Sequence, residues 1–175
     1  MKISEIFLEI TKNKSLKKSE HYILEGNKVN TIAYVESGFL RTYQIDYKGD
    51  DITTNLHAPN SFCGSYYGFY TRAFSIENIV AITDVELRLV SYERLMSFYE
   101  NELEANIFGR QIIEKVCIEK DIRISKLLKL DAKERYLWFL EEYPEFILNI
   151  PIKYIASYLG MKKETISRIR KKIKN

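Results

Sequence analysis

The stretch "IPIKYIASYLGMKKETISRIRKKI", residues 150–173, carries the clearest structural pattern in this sequence. Apolar residues recur at helical spacing on both sides of a glycine. They are Ile152, Ile155, Leu159, Met161, Ile166 and Ile169. A first helix that reaches Tyr158 must end in a left-handed conformation, which Gly160 adopts without a steric clash. The pattern predicts a helix-turn-helix, in which the small Ala156 lies where the two helices cross.

The charge of this segment differs from that of the rest of the chain. Residues 151–175 contain eight basic residues and one acid, a net charge of +7, whereas residues 1–150 contain 19 basic and 23 acidic residues, a net charge of −4. With Ile166 and Ile169 buried, the basic side chains remain on the outside of the second helix, where they suit the phosphates of DNA. The alternatives are a solvated basic helix and an amphipathic helix on an anionic membrane, but the bulky apolar anchors of a membrane helix are missing.

We predict that the second helix and its first residues contact DNA. The predicted DNA-binding residues are Lys162, Lys163, Glu164, Thr165, Ser167, Arg168, Lys171 and Lys172. Glu164 and Arg168 lie one helical turn apart and face the same way, so a helix in the major groove can aim both at neighbouring base pairs. Arg168 suits guanine and Glu164 suits cytosine N4, unless the two form an intrahelical pair. Lys163 is set apart with these two, whereas most of the remaining cations are expected to meet phosphates, namely Lys162, Arg170, Lys171, Lys172 and Lys174.

Lys162 stands immediately before the second helix, where a capping Ser or Thr is expected. A lysine there opposes the helix dipole. It is nevertheless well placed to meet a DNA phosphate.

Two further regions precede this segment. Between about residues 20 and 90, turn signals separate runs rich in β-branched and aromatic residues, which predicts a small β-barrel or sandwich of short strands. The turn signals are Glu25-Gly26-Asn27, Ser37-Gly38, Lys48-Gly49-Asp50 and Ala58-Pro59-Asn60. After Ser91, which can cap a helix, proline is absent until Pro144. Apolar residues recur there at helical spacing, so one long helix is expected to follow the barrel.

The apolar stripe of this long helix is interrupted by Arg110, Glu114 and Lys120, so it is not a regular heptad seam. The stripe consists of Leu103, Ile107, Ile113, Val116, Ile124, Leu127 and Leu128. The helix either packs along its own barrel or pairs with a second copy. We favour a homodimer, because a helix flanked by domains at both ends has little surface of its own chain to cover it.

A third region begins near Asp131, which is expected to cap the helix that follows. A small core is predicted there from Leu137, Trp138, Leu140 and Phe146.

The sequence resembles the cyclic-AMP receptor protein and Fnr family of bacterial transcription regulators. The "ET-I-S-R" core of the second helix is a specific part of the match, and "EGNKVNTIAYVESGFLRTY", residues 25–43, is similar to the family's β-roll with its GxxR hairpin, here Gly38 to Arg41. The order of parts covers nearly the whole chain. The resemblance implies an α+β fold with a β-roll (jelly-roll) sensor domain over residues 1–100, a dimerisation helix over 101–129 and a helix-turn-helix domain over 130–175. It also implies double-stranded DNA, a second copy and RNA polymerase as partners.

The sequence departs from the family at the ligand pocket. Members that bind cyclic nucleotides carry Gly-Glu for the ribose and Arg-Ser for the cyclic phosphate. Here Ser65 follows Gly64, and Ser75-Ile76 stands where Arg-Ser is expected. Because a buried phosphate without a cation is strongly penalised, we expect no response to cyclic nucleotides. Arg72, three residues early, is either a substitute cation or a solvated loop residue.

The pocket of this chain is instead rich in aromatic residues. The predicted pocket residues are Gly64, Ser65, Tyr66, Tyr67, Arg72, Ser75 and Ile76. The rings of "SFCGSYYGFYTRAF", residues 61–74, either fill the pocket themselves or line a site for an unidentified apolar or planar ligand.

A second departure lies at the C-terminal end. Only "KKIKN" follows the recognition helix, and the interval from Pro144 to Pro151 is too short for a β-hairpin. The winged part that is usual in the family is therefore expected to be trimmed.

No cofactor or metal is expected. Cys63 and Cys117 lie far apart and are predicted to be small buried apolar residues, and His21 and His57 lack metal-ligand spacing. Two cysteines cannot supply the four ligands of an Fnr-type iron-sulfur cluster.

Other function classes are also disfavoured. No phosphate-binding glycine loop or catalytic constellation is present, so we expect no enzyme. No apolar run reaches the roughly 20 residues of a membrane span, and we expect a cytoplasmic protein. The rival hypothesis is a ligand- or partner-binding module whose C-terminal helices bind protein instead of DNA.

Overall fold

The structure, a computed structural model, describes residues 10–174, without the side chain of Lys174. Within these residues, the N-terminal half contains eight strands in two four-stranded antiparallel sheets. They are β1 Lys12–Leu16, β2 His21–Ile23, β3 Thr31–Ser37, β4 Leu40–Ile45, β5 Asp51–His57, β6 Phe62–Cys63, β7 Asn78–Ala81 and β8 Val85–Ser91. The strand orders are β1-β8-β3-β6 and β2-β7-β4-β5. The predicted β-roll is confirmed, and its first strand begins earlier than the sequence pattern indicated.

The first hydrophobic core lies between these two sheets. Inward-facing side chains of strands from both sheets, among them Val35, Leu40 and Leu87, are completely buried. A short helix, α1 Tyr66–Thr71, inserts the ring of Phe69 into the same core. The burial of these side chains is the main stabilising contribution to the β-roll.

Six helices follow the β-roll in the described chain. They are α2 Tyr92–Asn101, α3 Leu103–Lys129, α4 Ala132–Glu142, α5 Pro144–Asn149, α6 Ile152–Tyr158 and α7 Lys163–Lys174. Ser91 caps α2 by accepting a hydrogen bond from the Arg94 N–H, as expected. None of the helices between residues 10 and 174 is long and apolar enough to cross a membrane.

The prediction of one unbroken helix after Ser91 is wrong, because the chain leaves helical geometry at Glu102 (φ −130°, ψ 108°). There α2 ends and α3 starts in a new direction. The two helices then pack closely, since a Cβ atom at Gly109 would overlap the ring of Tyr99. This close crossing fixes the break.

The second hydrophobic core joins the C-terminal helices to the β-roll. Leu56 and Ile82 of the β-roll share it with helix residues such as Phe139 and Ile155. The rings of Phe39 and Phe146 meet across this junction with centroids 5.8 Å apart. The C-terminal helices are therefore packed against the β-roll.

The start of α4 is as predicted, but only some of the residues predicted to form a core there are buried. Asp131 accepts a hydrogen bond from the Glu134 N–H, and Glu134 completes a capping box. Phe146 is buried, and Trp138 and Leu140 pack at the edge of the second core. Leu137 is 41% exposed, so its assignment to the core is wrong. The buried rings of this helix are Tyr136 and Phe139, three residues apart on its inner face.

Between Pro144 and Pro151 the chain forms α5, with Pro144 in its first turn, and no hairpin occupies this interval. Proline is well tolerated there because the N–H groups of the first turn of a helix make no intrahelical hydrogen bond. The expected absence of a β-hairpin from this interval agrees with the structure.

Gly38, at the start of the GxxR hairpin between β3 and β4, has φ +83°. A Cβ atom there would overlap the Asp84 carbonyl oxygen. Gly49 in the next hairpin has a similar φ of +89°, but a Cβ atom would meet nothing within 4 Å. Both glycines therefore have a positive φ, but only Gly38 lacks room for a Cβ atom.

We predict that Gly38→Ala lowers the free energy of unfolding by about 3 kcal/mol or more, about 1–2 from backbone strain and the rest from overpacking. Gly49→Ala, the matched control, should cost only the strain contribution. Urea unfolding of both variants measures the difference. Equal losses would contradict the close approach of Gly38 to Asp84.

Candidate nucleic-acid interface and ligand pocket

Helices α6 and α7 form the predicted helix-turn-helix. Gly160 adopts φ +64° in the turn, as expected, and the Met161 N–H donates to the Ala156 carbonyl (3.0 Å). Ala156 is 1% exposed where the helices meet. The apolar residues Ile155, Leu159, Ile166 and Ile169 are all buried on the inner side.

The predicted DNA-binding residues lie on the outer face of α7 or at its start. Seven are exposed, namely Lys162, Lys163, Glu164, Ser167, Arg168, Lys171 and Lys172, and Thr165 is half-buried. The hydroxyl of Ser167 donates to the Lys163 carbonyl (3.2 Å) and is thus turned to the helix backbone. The other exposed side chains form a continuous basic surface with one acid in it.

Glu164 and Arg168 form no ion pair with each other in the described part of the chain. The i,i+4 pairs there are Arg110–Glu114 and Lys115–Glu119, both on α3. The two residues therefore do not form the intrahelical pair that the sequence left open as an alternative to base contacts. Both side chains are free to reach outward from the same helix face.

A basic residue that sequence reasoning missed lies beside α7. The start of α4, at Asp131, Ala132 and Lys133, faces α7 across an open cleft whose other wall includes Arg168 and Lys172. Lys133 and the N-terminal end of the α4 dipole thus add to the positive surface. The capping pattern located this helix start, but only tertiary packing places it next to α7.

Arg170 has a different position from the one that the sequence suggested. Its Nε donates to the Tyr136 hydroxyl (2.6 Å), which ties it to α4. This bond holds α7 against α4 and leaves fewer guanidinium donors for a phosphate. The side chain of Lys174 lies outside the described residues.

Arg41, a charged residue in the middle of a sheet, connects the β-roll to α6. It is 2% exposed and forms an ion pair with Asp51. Its guanidinium carbon lies 4.3 Å from the ring centroid of Tyr43 and 4.0 Å from that of Tyr154. Because Tyr154 belongs to α6, the helix-turn-helix completes the environment of this buried cation.

Two further polar contacts hold α6 in place. The Thr53 N–H of β5 donates to the Ser157 hydroxyl (2.8 Å). Arg123 of α3 donates to the carbonyls of Tyr158 (2.9 Å) and Thr53 (3.2 Å). The orientation of α7 is therefore fixed relative to the β-roll and to α3.

The predicted pocket residues divide into two groups in the structure. Gly64, Ser65 and Ser75 are buried and Tyr66 is half-buried, whereas Tyr67, Arg72 and Ile76 are exposed. Arg72 is held at the surface, where its Nη2 donates to Asn30 (3.2 Å) and its guanidinium lies over Tyr92. The structure thus ties the alternative phosphate-binding cation to Asn30 and Tyr92.

The buried part of the pocket contains a carboxyl group that the sequence did not point to. Burial raises the pKa of Glu77, and its carboxyl faces Ser65 and Lys120 of α3. The Tyr66 hydroxyl is buried with no hydrogen-bond partner among the described residues. An acid on this wall makes the site less favourable for a second anion.

No metal centre forms in the part of the chain that the structure describes, where no group of three histidine, cysteine or acidic residues is placed to hold an ion. Cys63 is buried, as predicted, but Cys117 is exposed on α3, so that half of the prediction is wrong. His57 is buried and its Nε2 shares a hydrogen bond with the Thr42 hydroxyl (2.8 Å).

We predict that His57 makes stability pH-dependent. Burial is the main cause that lowers its pKa from 6.5 to about 4, and Lys120 adds to the effect. Between these values the unfolded chain binds a proton that the folded chain rejects, so stability should fall by about 3 kcal/mol as the pH drops from 6.5 to 4.

Urea unfolding across this pH range should show a flatter profile for His57→Gln than for the unmodified protein, with His21→Gln, which alters the exposed histidine, as the control. Comparing the variants cancels the contribution of Glu77. A profile for His57→Gln that matches the unmodified protein would contradict the assignment.

Comparisons with known proteins agree with this architecture. Residues 13–102 match the cyclic nucleotide-binding domain family. The chain is 26% identical over 174 residues to transcriptional activator protein Anr of Pseudomonas protegens, covering 91% of this chain and 69% of that protein. FixK2 of Bradyrhizobium japonicum has a TM-score of 0.84 at 21% identity, over 94% of this chain and 84% of that one. A Crp/Fnr-family transcriptional regulator of Thermus thermophilus has a TM-score of 0.72 at 21% identity, over 93% and 85%. The chain therefore belongs to the cyclic nucleotide-binding domain family, in its cyclic-AMP receptor protein and Fnr branch.

Proposed function

We propose that this protein is a transcription regulator that binds double-stranded DNA sequence-specifically, as a homodimer on a palindromic site. The observation that carries the proposal is the outer face of α7, where Glu164 and Arg168 lie among lysines and form no ion pair with each other within residues 10–174. The name of the relative Anr, a transcriptional activator, supports the same class. In this proposal residues 1–100 are the sensor domain, 101–129 the dimerisation helix and 130–175 the DNA-binding domain.

The residues of the DNA surface have two roles in this proposal. Lys162, Lys171, Lys172 and Lys133 meet phosphates, which contributes affinity and salt dependence but no sequence information. Arg168 and Glu164 read bases, because an acid in so basic a surface weakens nonspecific binding and must be offset by a specific contact. A regulator bound in this way in the cytoplasm would act on RNA polymerase, which we propose as a further partner.

The outer face of α3 supports the homodimer. Its inner face, with Ala105 and Gly109, packs on α2 and the β-roll, whereas five apolar side chains on the opposite side are exposed. These are Leu103, Ile107, Ile118, Ile122 and Leu128. They extend along a helix of 27 residues, about 40 Å long. In this proposal a second copy covers the face, and the two α7 helices of the dimer then read half-sites about 34–36 Å apart.

Cyclic nucleotides are not the ligands of this protein in our proposal. Ser75 and Ile76 provide no cation for a cyclic phosphate, Arg72 is tied to Asn30, and Glu77 adds a carboxyl group to the pocket wall. Burying a phosphate there would leave its charge uncompensated.

We predict that Arg168→Ala weakens binding to the preferred site by about 1–3 kcal/mol and changes binding to random duplex little. Lys172→Ala, the matched basic control, should weaken binding to both duplexes and lower the salt slope by about one. Fluorescence anisotropy at two salt concentrations measures both effects. Equal losses on both duplexes for Arg168→Ala would contradict base reading, and no DNA binding by the unmodified protein would favour a protein-interaction module.

We predict that Ile118→Lys converts the protein to a monomer at micromolar concentration, because a lysine on each copy would place two charges inside an apolar interface. Leu148→Lys on α5, where the leucine is 91% exposed, should leave the dimer intact. Sedimentation velocity distinguishes these outcomes. A monomer without any substitution would contradict dimerisation.

We predict that titration calorimetry shows no saturable binding of cyclic AMP or cyclic GMP at micromolar concentration. Micromolar affinity for either nucleotide would refute this part of the proposal. Arg72→Ala would then show whether that cation had left Asn30 to bind the phosphate.

A further inference from the structure

A cavity of about 180 Å³ lies at the junction of the β-roll, α3 and the C-terminal helices. Strand β5 contributes Thr54, Asn55 and Leu56, and α3 contributes Val116, Glu119, Lys120, Arg123 and Ile124. The C-terminal helices contribute four rings, Phe139, Tyr143, Phe146 and Tyr158. None of the residues between 64 and 76 lines it, so this cavity is separate from the predicted sensor pocket.

The size and lining of the cavity suit one aromatic ring. An apolar cavity of roughly 150 Å³ in another protein holds a single benzene molecule. Here the rings of Phe139 and Phe146 offer apolar and edge-to-face contacts. The hydroxyls of Tyr143 and Tyr158 face each other on the same side of the cavity.

The charges on the α3 wall favour an anion. Arg123 donates hydrogen bonds to backbone carbonyls, and within residues 10–174 no carboxylate forms an ion pair with it. Glu119 lies one helical turn before Arg123. Its Oε1 is instead 3.8 Å from the Nζ of Lys115. Lys120, which also faces Glu77, is exposed on the same wall and forms no ion pair in the described chain. Two cations one turn apart therefore border the aromatic rings, and Glu119, the one acid that α3 adds to this wall, has a lysine beside it.

The cavity also contains an unsatisfied polar atom. Thr54 Oγ1 is buried and has no hydrogen-bond partner among the described residues. A buried hydroxyl in this state costs free energy unless a bound molecule supplies the missing partner. A ligand oxygen beside Thr54 would remove that cost.

We propose that this junction cavity binds a small aromatic carboxylate, with the ring against Phe139 and Phe146 and the carboxylate between Lys120 and Arg123. The bound molecule bridges the β-roll and the DNA-binding helices, because each half supplies a wall of the cavity. The site is independent of the proposed DNA binding, since it is formed without DNA.

Titration calorimetry of the full chain with benzoate and with its uncharged isostere benzamide tests the proposal. Benzoate should bind saturably and more tightly than benzamide. Lys120→Gln should weaken benzoate binding about tenfold, the loss of one charge-assisted hydrogen bond, and leave benzamide binding unchanged. Lys129→Gln, which removes an exposed lysine from the end of the same helix outside the cavity, should change neither.

A second variant tests the location. Val116→Phe fills the cavity and should abolish benzoate binding while the melting temperature without ligand shows that the protein is folded; if it does not fold, Lys120→Gln decides. Three results would overturn the proposal: no saturable benzoate binding at millimolar concentration, equal affinity for benzamide, or unchanged benzoate affinity in folded Val116→Phe. All are read without DNA, so a failure of the proposed regulatory function would not imitate them.

Discussion

The burial of the Arg41 guanidinium is the constraint on which the arrangement of this protein depends. Removing a cation from water costs several kcal/mol unless charges and hydrogen bonds replace the solvent. Asp51 and the Thr53 hydroxyl, both on the neighbouring strand β5, supply part of this. The rest comes from the rings of Tyr43 and Tyr154. Because Tyr154 lies on α6, the cation is fully enclosed only when the helix-turn-helix is docked.

Because of this docking, the C-terminal helices and the β-roll share a hydrophobic core. Leu56 and Ile82 would be exposed without Phe139, Phe146 and Ile155, which bury them in the second core. Arg123 adds hydrogen bonds from α3 to both sides of the same junction. The β-roll and α7 therefore share one packed core at this junction.

The features that could be predicted from the sequence are those that local constraints decide. Gly160 and Ala156 fix the turn and crossing of the helix-turn-helix within a few residues, and Asp131 with Glu134 marks the start of α4 by a capping box. Glu164 and Arg168 share a face through helical periodicity alone. None of these depends on distant parts of the chain.

The features that were missed depend on contacts between distant residues. The surroundings of Arg41 depend on α6, which lies far away in sequence, and no proline or glycine marks the break at Glu102. It becomes understandable only when Tyr99 is seen against Gly109. Glu77 and Lys133 acquire their surroundings from α3 and α7, which lie far away in sequence. Position on a helix face, not hydrophobicity alone, separates the exposed Leu137 from the buried Phe139.

The central claim is that the β-roll and the helix-turn-helix form one cooperative unit, and native-state hydrogen exchange tests it most directly. If they do, the slowest amides of α7, such as those of Ile166 and Ile169, should exchange with the same free energy of opening as Leu87 and Val90 in β8, within about 1 kcal/mol. Exchange of the α7 amides several kcal/mol more easily than those of β8 would show that the C-terminal helices open independently, and would contradict the account.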